Sequence, residues 1–293
     1  MMLTHIEHPE DLILEGDLSV IDTLYERGQI TMKIDGMSLV WGTNPSNGKF
    51  FVCTKAAFNK KKVRLCYNTD DIYQHFGHQE EVSEILGYCL RYLPRTENIY
   101  WGDWLGFGRT QIIQCNTLTY IFPETISQKL VIAPHTQVFV KDRMCDAICE
   151  PITEYFDRSA IIKWVQPTVD RVYAPATPPK VDKSAIPFLN PKEAKIAKQQ
   201  INAVIREGEE LDDVILTEIL GSPQLANLYQ MVIEIKEDLI KDLIVYDAPK
   251  ALLFDEFEVD GEGFVFYAEK GNAVKLVNRW EFSYANFNTS AFR

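Results

Sequence analysis

The tetrapeptide Lys33-Ile34-Asp35-Gly36 sets a lysine and an aspartate two residues apart and stops at glycine. Along an extended chain alternate side chains share a face, so Lys33 and Asp35 fall together while Met32 and Ile34 pack the other side. A hairpin centred on Pro45-Ser46 would return Thr54 and Lys55 opposite Gly36 and Met37. One small surface would then hold Lys33, Asp35, Thr54 and Lys55. Two amines crowded on a partly buried face disfavour each other's charged form, which is what a nucleophilic lysine needs. The same residues also read as a surface pair between Lys33 and Asp35, which contributes little. Gly36 permits an unusual backbone angle or the close approach of a ligand.

Two other stretches carry charge where it is costly. Asp260-Gly-Glu-Gly-Phe-Val-Phe266 places Glu262 between glycines directly before an apolar strand. Ala273-Val-Lys-Leu-Val-Asn-Arg279 embeds Lys275 in another. Both are expensive unless something charged is bound. Tyr100-Trp-Gly-Asp-Trp-Leu-Gly-Phe-Gly108 sets Asp103 among aromatics, of which Trp101, Trp104 and Phe107 read as core. Lys55 and the run Asn59-Lys60-Lys61-Lys62-Val63-Arg64 form a local basic patch, and such a run is more often a solvated loop than a binding site.

The elements that must position these residues are mainly strands. Ile30–Asp35, Met37–Trp41 and Lys49–Lys55 form a meander, with the turn cluster Thr43-Asn-Pro-Ser-Asn-Gly48 between the last two. Asp70–Tyr92 has helical spacing and ends before Pro94. Ile99–Phe107, Gln111–Phe122, Leu130–Val140 and Ile161–Val165 alternate as strands. Six prolines between Pro167 and Pro191 mark a linker. Asn190-Pro191-Lys192-Glu193 is a helix start with cap, proline and acid in place. A helical block follows to about Val245, broken near Gly208 and at Gly221-Ser-Pro223. Strands return at Phe254–Val259, Gly263–Ala268 and Ala273–Val277, the last two joined by a turn at Glu269-Lys-Gly-Asn272. The expected class is α+β, with antiparallel sheets in 1–166 and 250–293, a linker at 167–189 and a helical insertion at 190–249.

At 293 residues and 46% hydrophobic, the chain can bury a sizeable core. A net charge of −12 rules out coating nucleic acid through bulk electrostatics, so any phosphate contact must be local. No run approaches the roughly eighteen apolar residues of a membrane span, and the acidic N-terminus has no apolar signal core. A cytoplasmic protein without membrane contact is expected. Cys53, Cys66, Cys89, Cys115, Cys145 and Cys149 then read as reduced thiols. A zinc site from Cys145, Cys149 and His135 would lack any CxxC pair.

Together these stretches resemble the covalent nucleotidyltransferase superfamily of ATP-dependent DNA and RNA ligases and mRNA capping enzymes. Lys33-Ile34-Asp35-Gly36 matches its first motif, KxDG. Thr54-Lys55 looks like the accessory basic motif of phage-type RNA ligases. Gly102-Asp103-Trp104 is similar to the Gly-Glu-hydrophobic motif, with Asp for Glu. Glu262-Gly263-Phe264-Val265 matches the fourth motif, and Lys275 falls where the fifth motif's lysine belongs. The same motifs also resemble those of phage-encoded ligase-like proteins, which would put the protein in a host cytoplasm.

The resemblance implies an antiparallel adenylation fold (nucleotidyltransferase, ATP-grasp-like), with ATP and Mg²⁺ as cofactors. Lys33 would attack the ATP α-phosphate and become a lysyl-adenylate. Asp35 and Gly36 would complete its motif, Asp103 would hold the ribose, and Glu262 would help hold the metal. Lys275 would neutralise the α-phosphate, Thr54-Lys55 would contact phosphate or ribose, and Phe139 would stack on the base. The partner implied is a nucleic acid with 5′-phosphate and 3′-hydroxyl ends, RNA before DNA.

The match has departures. Val277 stands where the fifth motif has a second lysine, leaving Arg279 as the substitute. Thr31 stands where many ligases carry the glutamate that reads adenine. Met37-Ser38 replaces the usual following arginine. The stretch after Lys275 is too short for the OB-fold domain of DNA ligases and capping enzymes. These departures turn the expectation towards an RNA-ligase-like enzyme. They also favour its alternative, a nucleotidyltransferase fold that has lost ligation and serves as a binding or structural module.

Overall fold

Side-chain periods of two and of three to four divide the chain into strands and helices. The computed structural model describes residues 6–172 and 177–288. In chain order the elements are α1 (Pro9–Leu12), α2 (Ser19–Tyr25), β1 (Gly28–Met32), β2 (Met37–Asn44), β3 (Lys49–Cys53), α3 (Thr69–Phe76), α4 (Glu80–Tyr92) and β4 (Ile99–Phe107). Next come β5 (Ile112–Gln114), β6 (Leu118–Ile121), β7 (Leu130–Phe139), β8 (Ile148–Pro151), β9 (Ile162–Trp164) and β10 (Thr168–Arg171). The remainder holds α5 (Pro191–Glu207), α6 (Asp213–Leu220), α7 (Pro223–Lys241), β11 (Leu243–Tyr246), β12 (Lys250–Leu253), β13 (Phe257–Val259), β14 (Phe264–Ala268), β15 (Ala273–Leu276) and α8 (Arg279–Asn288). The protein is α+β, and its sheets are antiparallel except where β9 pairs with β7.

Two compact units divide the chain, and the boundaries depart from the expected ones. The first comprises Ile34–Gln166 and Asp247–Val259. Its large sheet runs β3-β2-β4-β7-β8 with β9 alongside β7, and its smaller sheet runs β13-β12-β6-β5. Leu39, Trp41, Val52, Ile85, Leu86, Cys89 and Ile132 are among the side chains of its core, which α3 and α4 help to close. The amphipathic stretch expected as one helix is two, divided at Gly77-His78-Gln79.

Of the described residues, the second unit draws on 6–33, 167–172, 177–246 and 260–288. It pairs β1-β14-β15 and, separately, β10-β11. Segments 6–33 and 260–288, expected with the first sheet, therefore belong with the helical block. The reason is pairing: β1 takes β14 as its partner, and α1 and α7 pack against β15. Residues 168–171 of the expected linker are also structured, as β10, and Arg171 donates to the Leu24 and Glu26 carbonyls at the end of α2. Linker residues 173–176, and 1–5 and 289–293 of the expected core, lie outside the described residues. The start of α5 is as expected, with Asn190 and Glu193 capping each other reciprocally.

The first hairpin differs in register from expectation. Asn44 pairs with Lys49 around a four-residue turn that ends in Gly48 at φ 66°, so Cys53 lies opposite Val40. A turn centred on Pro45-Ser46 would have put Thr54 at Met37. The actual turn centres one residue later and shifts the pairing by two. Thr54 instead caps a short 3₁₀ turn, Lys55–Phe58, its hydroxyl accepting from the Ala56 amide. Among the described residues no helix is long and apolar enough to cross a membrane.

Candidate functional site

In the second unit, alternation sorts the three-stranded sheet into two faces. Ile30, Met32, Phe264, Phe266, Val274 and Leu276 are buried, while Thr31, Val265 and Lys275 line one half-exposed row across the strands. The Lys33 amide donates to the Gly263 carbonyl at 2.8 Å, extending the ladder one residue beyond β1. Lys33 thus projects on the same face as Thr31 and Lys275. Its ammonium forms an ion pair with the Glu262 carboxylate. The partner of this amine is therefore a carboxylate and not a second lysine.

Glu262 is aimed by its neighbours. Gly261 and Gly263 take φ of 105° and 131°, values that L side chains rarely adopt. A Cβ at Gly263 would lie 2.5 Å from the Leu276 carbonyl oxygen and 3.0 Å from the Val277 Cα. The strand can make that turn, and so present Glu262, only with glycine. The Lys275 amide donates to the Glu7 carbonyl at 3.0 Å, which ties the far edge of the sheet to the N-terminal segment.

Arg279 does not join this face. Its Nη1 donates to Asp11 at 2.9 Å and to the Tyr229 hydroxyl at 3.0 Å, and its Nη2 donates to Asn202 at 2.7 Å. Lys236, only 2% exposed, pairs with the fully buried Glu10 at 2.8 Å in the same cluster. The expectation that Arg279 supplies the missing cation is corrected: a buried guanidinium stays where its carboxylates are. Lys236 and Arg279 hold the Glu10 carboxyl down at about 2 against the opposing effect of burial. Burial pushes His8 beside it down to about 3.

The first unit assembles its own group. Asp35 is buried, and its carboxylate accepts from the Thr117 amide at 2.7 Å, the Leu118 amide at 3.2 Å and Asn116 Nδ2 at 3.1 Å. Its own amide donates to the Tyr120 hydroxyl at 2.7 Å. The expectation that Asp35 places the lysine is therefore corrected: its carboxylate holds the turn between β5 and β6. Gly36 is needed for a close approach, but to protein. A Cβ there would sit 2.8 Å from the Trp104 carbonyl oxygen and 3.0 Å from Asp103 Cβ.

Asp103 stands on β4 opposite Ser38 and Ala133, and its Oδ2 lies 3.5 Å from His135 Nε2. Trp101, on the same strand, donates from Nε1 to Ser38 Oγ at 2.9 Å. The Trp101 ring meets His135 at 5.4 Å and Phe58 at 5.2 Å, and Lys55 Nζ sits 5.5 Å from its centroid. His135, weighed in the sequence only as a zinc ligand with Cys145 and Cys149, is brought by the structure to Asp103. On β7, Thr136 pairs with Trp101 and Pro134 with Gly102, so His135 is the extra residue of a bulge. Bulges re-aim side chains in this way. The signal was Pro134, since a proline inside a paired strand calls for a bulge. Phe139, at the end of β7 opposite Ile148, is 44% exposed.

Among the described residues no three His, Cys, Asp or Glu side chains gather to hold a metal. All six cysteines are free thiols, and burial pushes those of Cys53 and Cys66 up to about 12.

Comparison with known proteins gives a family without an activity. A family model described as "Family of unknown function (DUF6267)" matches residues 4–218 and 191–291, and the chain belongs to that family. No curated protein and no solved structure matches it.

Proposed function

We propose that this member of a family without an assigned activity is an ATP-dependent nucleotidyltransferase of the polynucleotide-ligase kind, acting through Lys33, with RNA before DNA as acceptor. One observation carries this: Lys33, Glu262 and Lys275, from three separate stretches of chain, lie on one half-exposed face of a three-stranded sheet, with the amine held by the carboxylate. The antiparallel α+β frame is in keeping with an adenylation fold.

In this chemistry the Lys33 ammonium first gives up its proton to water, which leaves the Glu262 carboxylate charged. The amine attacks the α-phosphorus of ATP, a P–N bond forms, and the P–O bond to pyrophosphate breaks. Lys275 offers fixed positive charge to the phosphoryl oxygens as they gain negative charge. The adenylate then passes to a polynucleotide 5′-phosphate, and a 3′-hydroxyl displaces AMP. A single carboxylate beside the amine suits magnesium carried in by the triphosphate, since Mg²⁺ takes one or two carboxylates plus substrate phosphates. Bound there, the metal would supply charge neutralisation.

The test is intact-protein mass spectrometry after incubation with magnesium and each nucleoside triphosphate. An adduct of one AMP from ATP, lost in Lys33→Ala, is expected. Well-folded protein that takes no nucleotide would sink the proposal. A second reading has its own support: Val277 is buried and Arg279 is committed to carboxylates, so one lysine stands where the fifth motif of the ligase superfamily has two. That favours a fold retained for binding after transfer was lost.

A further inference from the structure

Positive charge is concentrated in one loop of this acidic protein. Lys55, Lys60, Lys61, Lys62 and Arg64 fall within ten residues of a chain whose net charge is −12. The four lysines are exposed. Among the described residues none of the five cations stands in an ion pair. Like charges so close repel one another, and nothing in the loop offsets this.

The loop is nevertheless held in shape. Asn59 Oδ1 accepts from the amides of Lys61 at 2.9 Å and Lys62 at 3.0 Å. The Arg64 amide donates to the Ala56 carbonyl at 3.4 Å, and its guanidinium lies 5.8 Å from the Phe76 ring centroid. Cys66 then exchanges both backbone hydrogen bonds with Val52, each 3.0 Å. A fixed backbone lowers the ordering cost of binding an anion. At the base of the loop lies the half-buried ring pair Phe58–Trp101, with Lys55 over the indole.

We propose that the loop 59–64 and the adjoining Phe58–Trp101 pair bind a single-stranded polynucleotide, the lysines on backbone phosphates and a base against the rings. Cations tracking a backbone beside an aromatic platform form the usual arrangement for single strands, tolerant of sequence. A lipid surface fits less well, since Val63 is the one large apolar side chain between Asn59 and Arg64 and the rings beneath are half-buried. The assignment takes its place in the reaction from the nucleotidyl-transfer proposal, but stands on different residues and in one unit.

The test is fluorescence anisotropy of the full chain, without ATP, against a labelled single-stranded RNA and its DNA counterpart across a salt series. In the triple variant Lys60→Ala, Lys61→Ala, Lys62→Ala, binding weakens and the log–log salt slope becomes shallower by about 2, at roughly 0.7 for each phosphate left without its lysine. The triple Lys→Arg variant keeps the wild-type slope. Unchanged affinity and slope in the alanine variant would overturn the assignment. So would wild-type protein that ignores both oligonucleotides, or that binds only anionic vesicles. Nucleotide labelling of the same proteins separates the two proposals. Labelling with a loop-independent affinity removes this one alone, and loop-dependent affinity without labelling removes the other alone.

Discussion

Lys33 and Glu262, 229 residues apart in the chain, form an ion pair on the half-exposed face of the β1-β14-β15 sheet. The two side chains are 31% and 15% exposed, so the pair contributes at most about 1 kcal/mol to stability. Its position matters more than its strength, since it holds an amine on a carboxylate at the end of a strand.

Glu262→Gln keeps the shape and removes the charge. Thermal unfolding should move little, while the rate of AMP labelling should fall on the order of 10²-fold, as for loss of one preorganised electrostatic group. Labelling at the wild-type rate would take Glu262 out of the chemistry.

Gly263→Ala should destabilise through the backbone. The residue sits at φ 131°, and its Cβ would press on the Leu276 carbonyl at 2.5 Å. A cost of about 1–3 kcal/mol is expected, read as a lower urea midpoint. An unshifted midpoint would show that the turn relaxes freely.

Asp35→Ala should behave as a folding mutation. It strands the Thr117 and Leu118 amides, which now donate to a buried carboxylate, at a cost of about 1–3 kcal/mol or more. Asp35→Asn keeps one acceptor and should cost less. Equal urea midpoints for the two variants would contradict this account of the carboxylate.

His8 makes the second unit sensitive to acid. Its pKa falls from 6.5 to about 3, chiefly through burial, with Arg279, Lys236 and Lys275 adding to the effect and Glu10 opposing it. The unfolded chain therefore binds the proton first, so stability falls as pH drops through the window from about 6.5 to 3. Glu10, held at about 2, adds a further loss below its ordinary 4.5, whereas the raised Asp11 works the other way. In His8→Asn the first component disappears. Wild type should lose stability relative to the variant as pH falls, by up to about 1.4 kcal/mol per unit within that window. Parallel stability–pH curves would refute it.

Much of the local structure was legible in the residues. Asn190, Pro191 and Glu193 marked the start of α5, and the breaks at Gly208 and Gly221-Ser-Pro223 fell where α5 and α6 end. Caps and strand alternation depend on neighbours a few residues away, so a local pattern contains them. The first hairpin was misjudged by two residues in register because a four-residue turn closed by Gly48 and a two-residue turn at Pro45-Ser46 use the same residue types.

The sequence by itself determined the alternation along the strands, the cap at Asn190 and the breaks at Gly208 and Gly221, because each is a short-range matter of sterics and periodicity, whereas the first strand, expected to reach Asp35, ends at Met32. Only the tertiary structure decided which charges meet. Asp35, Arg279 and Lys33 are alike in being charged and set near apolar strands. Yet Asp35 is consumed by the amides of a turn, Arg279 by buried carboxylates on α1, and Lys33 by Glu262. A charge removed from water must find its partner through pairing across the chain, and no local pattern names that partner.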